Sequence, residues 1–269
     1  MSKKGKRRAF GQHFLKDSAI SDEIVQTALK EAAANDCRQI LEIGPGKGAL
    51  TLPLLEYLPD HKKIESLVLV EKDEALGTRW AETHSLRPYS VQIADFLDLA
   101  PEKWILKPPV AVMANLPYSS SVAILKKLNQ FRENIPVMVL MFQAEVSKRL
   151  RAEIGTRDCG SLSIYFQNLW EIKKLLGVPP KSFNPPPQVN SEVVVLKRKS
   201  VPLVPGSIED EALWEEFLRQ SFLHRRKMLR SAFPWKNALE QTGVDDRKRP
   251  EALQWHEWIS LFQFVRQMN

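Results

Sequence analysis

Asn115, Leu116, Pro117 and Tyr118, here called the NLPY motif, have the residue types and order that point most directly to chemistry. The Asn115 side-chain oxygen and the Leu116 carbonyl can accept hydrogen bonds, Pro117 fixes the turn, and Tyr118 can stack on a base. Two acceptors aimed at one amino group suit the exocyclic N6 of adenine, whose lone pair is delocalised into the ring. An Asx-turn followed by a proline and a packed tyrosine is the non-catalytic alternative.

A glycine loop at residues 44–48 follows one predicted strand and opens a predicted helix. Its backbone can therefore turn tightly and approach a ligand at the helix N-terminus, which predicts Gly44 and Gly46 as cofactor-binding residues. The spacing Gly44-x-Gly46-x-x-Ala49 also fits the relaxed dinucleotide fingerprint. The loop alone does not distinguish a nicotinamide cofactor from S-adenosylmethionine.

Two acidic residues lie at the carboxyl ends of the next two predicted strands: Glu71 ends the first, and Asp95 follows the second. Glu71 can accept hydrogen bonds from both ribose hydroxyls of an adenosine-containing cofactor, and Asp95 can accept one from the adenine amino group. A solvated carboxylate at a strand end is the alternative for each. The glycine loop, Glu71 and Asp95 precede the NLPY motif in this order. This order favours a catalytic role for the NLPY motif over the non-catalytic alternative. An unpaired loop adenine costs least to extrude and is the favoured target.

These residues stand at the ends of apolar runs that alternate with helical stretches, an arrangement typical of a parallel α/β sheet. Helices are predicted from Ser18 to Asn35 and near residues 143–151. The later strands lie closer together, which favours antiparallel pairing at one edge and a mixed sheet. The predicted strands are Gln39–Ile43, Ser66–Glu71, Tyr89–Ile93, 110–114, 136–142, 162–167, 171–178 and 192–198.

Beyond Lys199 the strand pattern stops, and residues 209–223 and 255–268 carry helical periodicity. We therefore predict two domains. The first, residues 1–199, binds the cofactor and carries a basic N-terminal arm at residues 3–8. The second, residues 200–269, is a small helical domain.

The composition indicates a globular protein with a polyanionic partner. Of 269 residues, 43% are hydrophobic, and the net charge is +7. Lysine and arginine gain affinity by displacing counterions from phosphates, with an acidic membrane surface as the alternative. No apolar run is long enough to span a bilayer and the basic N-terminus lacks a signal-peptide core, so we expect a cytoplasmic protein. Metal-ligand spacing is absent from the two cysteines, Cys37 and Cys159, and from the histidines. We therefore expect no metal.

Together these residues make the chain similar to the ribosomal RNA adenine N6,N6-dimethyltransferase family of the bacterial small-subunit type. The resemblance extends along nearly the whole chain. The resembling segments are residues 10–15, 42–51, the NLPY motif, 143–150, Phe183-x-Pro185-x-Pro187-x-Val189-x-Ser191 and 225–227.

The resemblance implies a class I S-adenosylmethionine-dependent methyltransferase fold, Rossmann-like, with a seven-stranded mixed sheet and a small C-terminal all-helical domain. Many family members carry Asn where this chain has His13. Phe183 would stack on the target base opposite Tyr118, with a core aromatic as the alternative. The implied RNA-binding residues, for which a solvated helix face is the alternative, are Arg225, Arg226, Lys227 and Arg230. The implied cofactor contacts are His13, Leu15, Gly44, Gly46, Glu71, Asp95 and Asn115.

The implied activity is dimethylation of N6 of two adjacent adenosines in a hairpin loop near the 3′ end of small-subunit (16S) ribosomal RNA. The expected partner is the assembling small subunit, and the expected state is a monomer. One alternative is a large-subunit methyltransferase of the erythromycin-resistance type, which tends to carry Ile at the position of Leu116. A non-catalytic RNA-binding assembly factor on the same fold is another. A nicotinamide oxidoreductase is favoured only by the glycine loop.

Overall fold

The computed structural model describes residues 13–83 and 89–268, so the basic arm at residues 3–8 and residues 10–12 of the first resembling segment lie outside it. The chain divides into two compact units. The first takes in Met1–Ser147 and Lys173–Arg198, and the second Lys148–Ile172 and Lys199–Asn269. The chain therefore enters the second unit twice, whereas the sequence predicts a single crossing after residue 199.

A seven-stranded mixed sheet forms the centre of the first unit. The strands of the described residues are β1 (Phe14–Leu15), β2 (Gln39–Ile43), β3 (Ser66–Glu71), β4 (Tyr89–Ile93), β5 (Val110–Asn115), β6 (Val137–Gln143), β7 (Trp170–Val178), β8 (Phe183–Asn184) and β9 (Ser191–Arg198). The sheet order is β4-β3-β2-β5-β6-β9-β7, while β1 pairs with β8. Strands β2 to β6 are parallel to one another, whereas β9 is antiparallel to β6, which confirms the predicted mixed sheet.

Helices before and between these strands cover the sheet, which is why its central strands are continuous apolar runs. They are α1 (Ser18–Ala34), α2 (Thr51–Tyr57), α3 (Glu74–Glu82), α4 (Ser121–Gln130) and α5 (Ala144–Leu150). Helix α1 begins after Asp17, whose side chain accepts the Ile20 N–H at 3.4 Å. It buries Ile24 and Ala28 in a core shared with Ile40 of β2.

The second unit is helical, as its later part was predicted to be. Its helices are α6 (Ser161–Leu169), α7 (Glu211–Phe222), α8 (Leu229–Ala232), α9 (Lys236–Thr242) and α10 (Trp255–Gln267). Aromatic side chains of α7 and α10 form its core: the ring centroids of Trp214 and Phe262 are 4.9 Å apart, and those of Phe217 and Trp258 are 5.8 Å apart. Such close aromatic pairs hold small helical units together.

The strand predicted at residues 162–167 is wrong, because this segment lies in helix α6. A short apolar run fits a buried helix as well as a buried strand, and periodicity alone does not decide between them. Polar side chains favour the helix here. The Ser163 hydroxyl accepts the Gly160 N–H at 3.0 Å where the helix begins, and the Gln167 amide donates to the carbonyls of Leu150 and Ala152 at 2.9 Å.

None of the helices in the described part of the chain is long and apolar enough to cross a membrane. Residues 13–83 and 89–268 also contain no group of three or more His, Cys, Asp or Glu side chains placed to hold a metal ion. Cys37 and Cys159 are buried free thiols, and burial raises their pKa values to about 12 and about 11. Both therefore stay protonated at neutral pH.

Candidate active site

The carboxyl ends of the parallel strands meet at one edge of the sheet, and a cavity of about 390 Å³ opens there. The register places Ile43 of β2 between Val70 of β3 and Ala114 of β5, so the residues that follow each strand are neighbours. Ligands of open α/β sheets bind at this edge. The predicted residues that line the cavity are His13, Leu15, Gly44, Gly46, Glu71, Asp95 and the whole NLPY motif.

The glycine loop is held against Glu71. The Gly46 N–H donates to Oε2 of Glu71 at 2.9 Å, and the Asp73 N–H donates to Oε1 at 2.8 Å. Gly44 and Gly46 have φ angles of 71° and 55°, a region that L side chains adopt only with strain. A Cβ on Gly46 would also lie 3.1 Å from the Phe14 ring. Glycine is therefore required where the backbone approaches the cavity.

Glu71 is 4% exposed and keeps acceptor capacity for a ligand. Each carboxylate oxygen has a second lone pair beyond the one used by the backbone. Burial raises the pKa of Glu71, while the N–H groups of Asp73 and Gly46 oppose that rise. These two N–H groups favour the anion that the ribose contact requires.

Glu42 is a second acidic residue of the cavity, and the sequence analysis gave it no role. It lies in the middle of buried strand β2 and is 1% exposed, and its Oε2 atom has no hydrogen-bond partner among the described residues. Burial raises the pKa of Glu42 to about 8; the Thr51 hydroxyl opposes this rise and the nearby charge of Glu71 adds to it. The signal for Glu42 was a lone acidic residue inside an apolar strand, next to the glycine loop.

Asp95 lies at the same edge and is ion-paired. Its Oδ2 atom is 2.5 Å from the Lys72 ammonium, and its Oδ1 atom accepts the Leu97 N–H at 2.9 Å. Burial alone would raise the pKa of Asp95, but the hydrogen bonds from Lys72 and the Leu97 N–H, together with the charges of Lys72 and Lys127, lower it overall. Asp95 is thus a carboxylate, able to accept a hydrogen bond from an amino group.

The NLPY motif ends β5 with its acceptors free. The Asn115 amide donates from Nδ2 to the His13 carbonyl at 3.3 Å, which leaves Oδ1 as an acceptor. No backbone N–H of the described residues donates to the Leu116 carbonyl. Two acceptors at adjacent positions of one turn are the arrangement that an exocyclic amine requires.

Tyr118 is anchored at its hydroxyl and stacked at its ring. Its Oη is 2.5 Å from the Ser191 hydroxyl, and its ring is 5.7 Å from the His13 ring at an angle of 29°. Burial raises the pKa of Tyr118, although the hydrogen bond with Ser191 opposes the rise. His13 is itself fixed by a 2.9 Å hydrogen bond between Nδ1 and the Pro185 carbonyl. The sequence analysis assigned no function to Ser191, whose contact depends on the pairing of β6 with β9.

Phe183 is not brought to the cavity. It is 1% exposed, pairs with Leu15 across β8 and β1, and packs in the core with Val178. A ring buried in this way has no face for a base, so the structure favours the core alternative. Phe183 supports the site by holding β1, which carries Leu15.

The predicted RNA-binding residues lie in the second unit, between α7 and α9. Arg226, Lys227 and Arg230 are exposed, whereas Arg225 is half-buried and donates to the Arg157 carbonyl at 2.6 Å. Three of the four cations are therefore available to a phosphate partner.

Comparison with known proteins places these features in one family. The sequence model of ribosomal RNA adenine dimethylase matches residues 3–267. The ribosomal RNA small subunit methyltransferase A of Alcanivorax borkumensis is 35% identical over 266 residues, covering 97% of this chain and 90% of the relative. The protein of the same name from Chlorobium luteolum is 35% identical over 265 residues, with the same coverages.

Solved structures show the same fold. A dimethyladenosine transferase from Plasmodium falciparum superposes with a TM-score of 0.77 at 24% identity, covering 95% of this chain and 98% of that one. The 23S rRNA methyltransferase ErmE superposes with a TM-score of 0.66 at 24% identity, covering 94% and 100%. Both likenesses confirm the predicted class I methyltransferase fold.

Proposed function

The chain belongs to the ribosomal RNA adenine dimethylase family, and from this premise we propose that it dimethylates N6 of two adjacent adenosines in a hairpin loop near the 3′ end of small-subunit ribosomal RNA. The family makes it an rRNA adenine methyltransferase that uses S-adenosylmethionine. The observation that carries the proposal is that the NLPY motif lines the same cavity as the glycine loop and Glu71. A base and a nucleoside cofactor would meet there.

The described residues fit S-adenosylmethionine. Glu71 offers two oxygens to a ribose diol, Asp95 offers an acceptor to an adenine amino group, and the glycines allow close backbone approach. A volume of about 390 Å³ is that of a pocket for a small organic ligand. The cofactor supplies, when bound, an electrophilic methyl group on a sulfonium.

The NLPY motif prepares the target amine. Asn115 Oδ1 and the Leu116 carbonyl accept hydrogen bonds from the two N6 hydrogens, which fixes the nitrogen and favours a pyramidal geometry with a localised lone pair. Tyr118 holds the base by stacking, which contributes about 1–3 kcal/mol per base. That matches the few kcal/mol needed to extrude a base from its stack.

No side chain of the motif is suited to act as a strong base, and none is required. The raised pKa of Tyr118 keeps its phenol protonated near neutral pH, so this residue acts by stacking. The proton that N6 loses after methylation leaves to water. Catalysis therefore rests on positioning and on fixed acceptors.

The choice of ribosomal subunit rests on the curated relatives. Those at 35% identity are named small subunit methyltransferases, whereas ErmE shares the fold at 24% identity. Leu116 also stands where the resistance-type enzymes tend to carry Ile. The exposed cations Arg226, Lys227 and Arg230 of the second unit would contact phosphates of the assembling small subunit.

Incubation with labelled S-adenosylmethionine tests this function. The substrates are small subunits whose ribosomal RNA lacks the modification and, in parallel, unmodified large subunits. We expect label on N6 of two adjacent adenosines near the 3′ end of the small-subunit RNA. Label confined to large-subunit RNA would favour the resistance-type activity, and no label with intact cofactor binding would favour a non-catalytic assembly factor.

A further inference from the structure

A second cavity lies in the first unit where β6 ends and β9 begins. Its volume is about 380 Å³. Its lining combines three apolar residues, three carboxamides and one carboxylate. The lining residues are Gln143, Ala144, Glu145, Pro180, Gln188, Val189 and Asn190.

The strand register brings this cavity close to the NLPY motif. Asn115 at the end of β5 pairs with Met141 of β6, and Gln143 is two residues further along the same strand. Neighbouring strands are about 4.8 Å apart and two residues advance about 7 Å. Gln143 also pairs with Ser191, whose hydroxyl is 2.5 Å from that of Tyr118. The second cavity is thus about one nucleotide away from the target base.

The side chains of the cavity match the chemistry of adenine. Among residues 13–83 and 89–268, none of the carboxamides of Gln143, Gln188 and Asn190 has a side-chain hydrogen-bond partner, although the Asn190 backbone carbonyl accepts the Ala144 N–H at 2.9 Å. Asn and Gln pair with adenine in two-point fashion through its N6 amino group and N7. Val189, 45% exposed, and Pro180 offer an apolar surface for the face of the base.

We propose that the second cavity binds the base next to the target adenosine and reads it as adenine through Gln143, Gln188 and Asn190. The inference rests on the proposed function. Because the strand has a direction and the cavity lies on one side of the target site, the cavity holds one adenosine of the pair while the other is the target. Exposed Lys181, beside Pro180, supplies a cation for the intervening backbone. A dimethylated neighbour has no N6 hydrogen to donate to an amide oxygen, so the cavity favours an unmethylated neighbour.

The test compares small subunits with the natural adenosine pair against subunits in which either member is guanosine. The rate of methylation of the remaining adenosine is measured for the wild type, for Gln143→Leu and for Gln188→Ala. The matched control is Gln130→Leu, an exposed amide at the end of α4, which runs back from the carboxyl edge of the sheet. Affinity for S-adenosylmethionine, measured by calorimetry, reports whether each variant is folded.

For one of the two adenosines, the one whose partner lies in the cavity, we expect the wild type and the control to methylate roughly tenfold more slowly beside guanosine than beside adenosine, the effect of one two-point contact. Gln143→Leu and Gln188→Ala should bind the cofactor normally, act more slowly on the natural pair and lose most of this discrimination. Because Gln188 lies in an exposed loop, its variant tests the inference even if Gln143→Leu fails to fold.

Three outcomes contradict the inference in distinguishable ways. Equal wild-type rates beside guanosine and adenosine for both members of the pair would mean that the neighbouring base is not read, while the proposed function stands. A uniform loss of rate with discrimination retained would assign the amides a structural role. Failure of the wild type to label any subunit would refute the proposed function itself.

Discussion

Replacing Glu42 by glutamine should make the stability of the protein less dependent on pH. The folded pKa of Glu42 is about 8, because of its burial, whereas its ordinary value is 4.5. Between these values the folded state keeps a proton that the unfolded state loses. The stability that protonated Glu42 contributes is complete below pH 4.5 and is lost as the pH rises towards 8.

The size of the effect follows from linkage. Within the window, one group of this kind lowers the free energy of unfolding as the pH rises, by roughly 2–3 kcal/mol between pH 5.5 and 7.5. Glutamine has nearly the same shape as glutamate and no titrating proton. The free energy of unfolding of Glu42→Gln therefore does not fall in this way as the pH rises. Between pH 5.5 and 7.5, the free energy of unfolding of the variant should rise by roughly 2–3 kcal/mol relative to that of the wild type.

Urea unfolding followed by circular dichroism at pH 5.5, 6.5 and 7.5, without cofactor, measures the difference. The control Glu56→Gln removes an exposed carboxyl of α2 and reports the effect of net charge alone. A difference between Glu42→Gln and the wild type that stays constant with pH would refute the reasoning. A stability of Glu42→Gln relative to the wild type that falls as the pH rises would contradict the prediction equally.

Three further predictions concern the cofactor and RNA contacts. Gly46→Ala should weaken S-adenosylmethionine binding by at least about fivefold in calorimetry. The left-handed backbone at this position costs an L residue ~1–2 kcal/mol, and the new Cβ would lie 3.1 Å from the Phe14 ring. Wild-type affinity of the variant would contradict this. Glu71→Ala should weaken it roughly 10–100-fold by removing hydrogen bonds to a carboxylate, and NADH should bind neither form in fluorescence titration; NADH binding by the wild type would favour an oxidoreductase. Replacing Arg226 and Lys227 by alanine should reduce the slope of log RNA affinity against log salt by about two, and an unchanged slope would exclude phosphate contacts there.

The parallel strands could be predicted because their apolar sequence pattern agrees with their burial in the folded sheet. Strand β2 is buried along its whole length, and its apolar run has the bounds expected from the sequence alone. Residues 162–167 have the same kind of apolar run, but the side chains of Ser163 and Gln167 stabilise a helix through partners distant in the sequence. The local sequence pattern therefore does not reveal these hydrogen-bond partners.

The sequence predicted those residues of the candidate site that lie at the carboxyl end of a strand and whose residue type alone indicates their function. Glu71, Asp95 and the NLPY motif follow three separate strands, and the parallel register brings them together. Ser191 was missed because it lies 73 residues from Tyr118 in the sequence, and only the antiparallel pairing of β9 with β6 brings it close. Phe183 was placed at the target base by resemblance, whereas its pairing with Leu15 places its ring in the core.

The single-turnover rate of Asn115→Ala on unmodified small subunits, at saturating S-adenosylmethionine, measures whether the Asn115 acceptor positions the target amine. Loss of one preorganised acceptor should slow methylation by roughly 10²–10³-fold. Asn134→Ala, which removes a carboxamide from the turn just before β6, should act at the wild-type rate. Near-wild-type turnover by Asn115→Ala would contradict the account, because the Asn115 acceptor would then not be needed to position the amine.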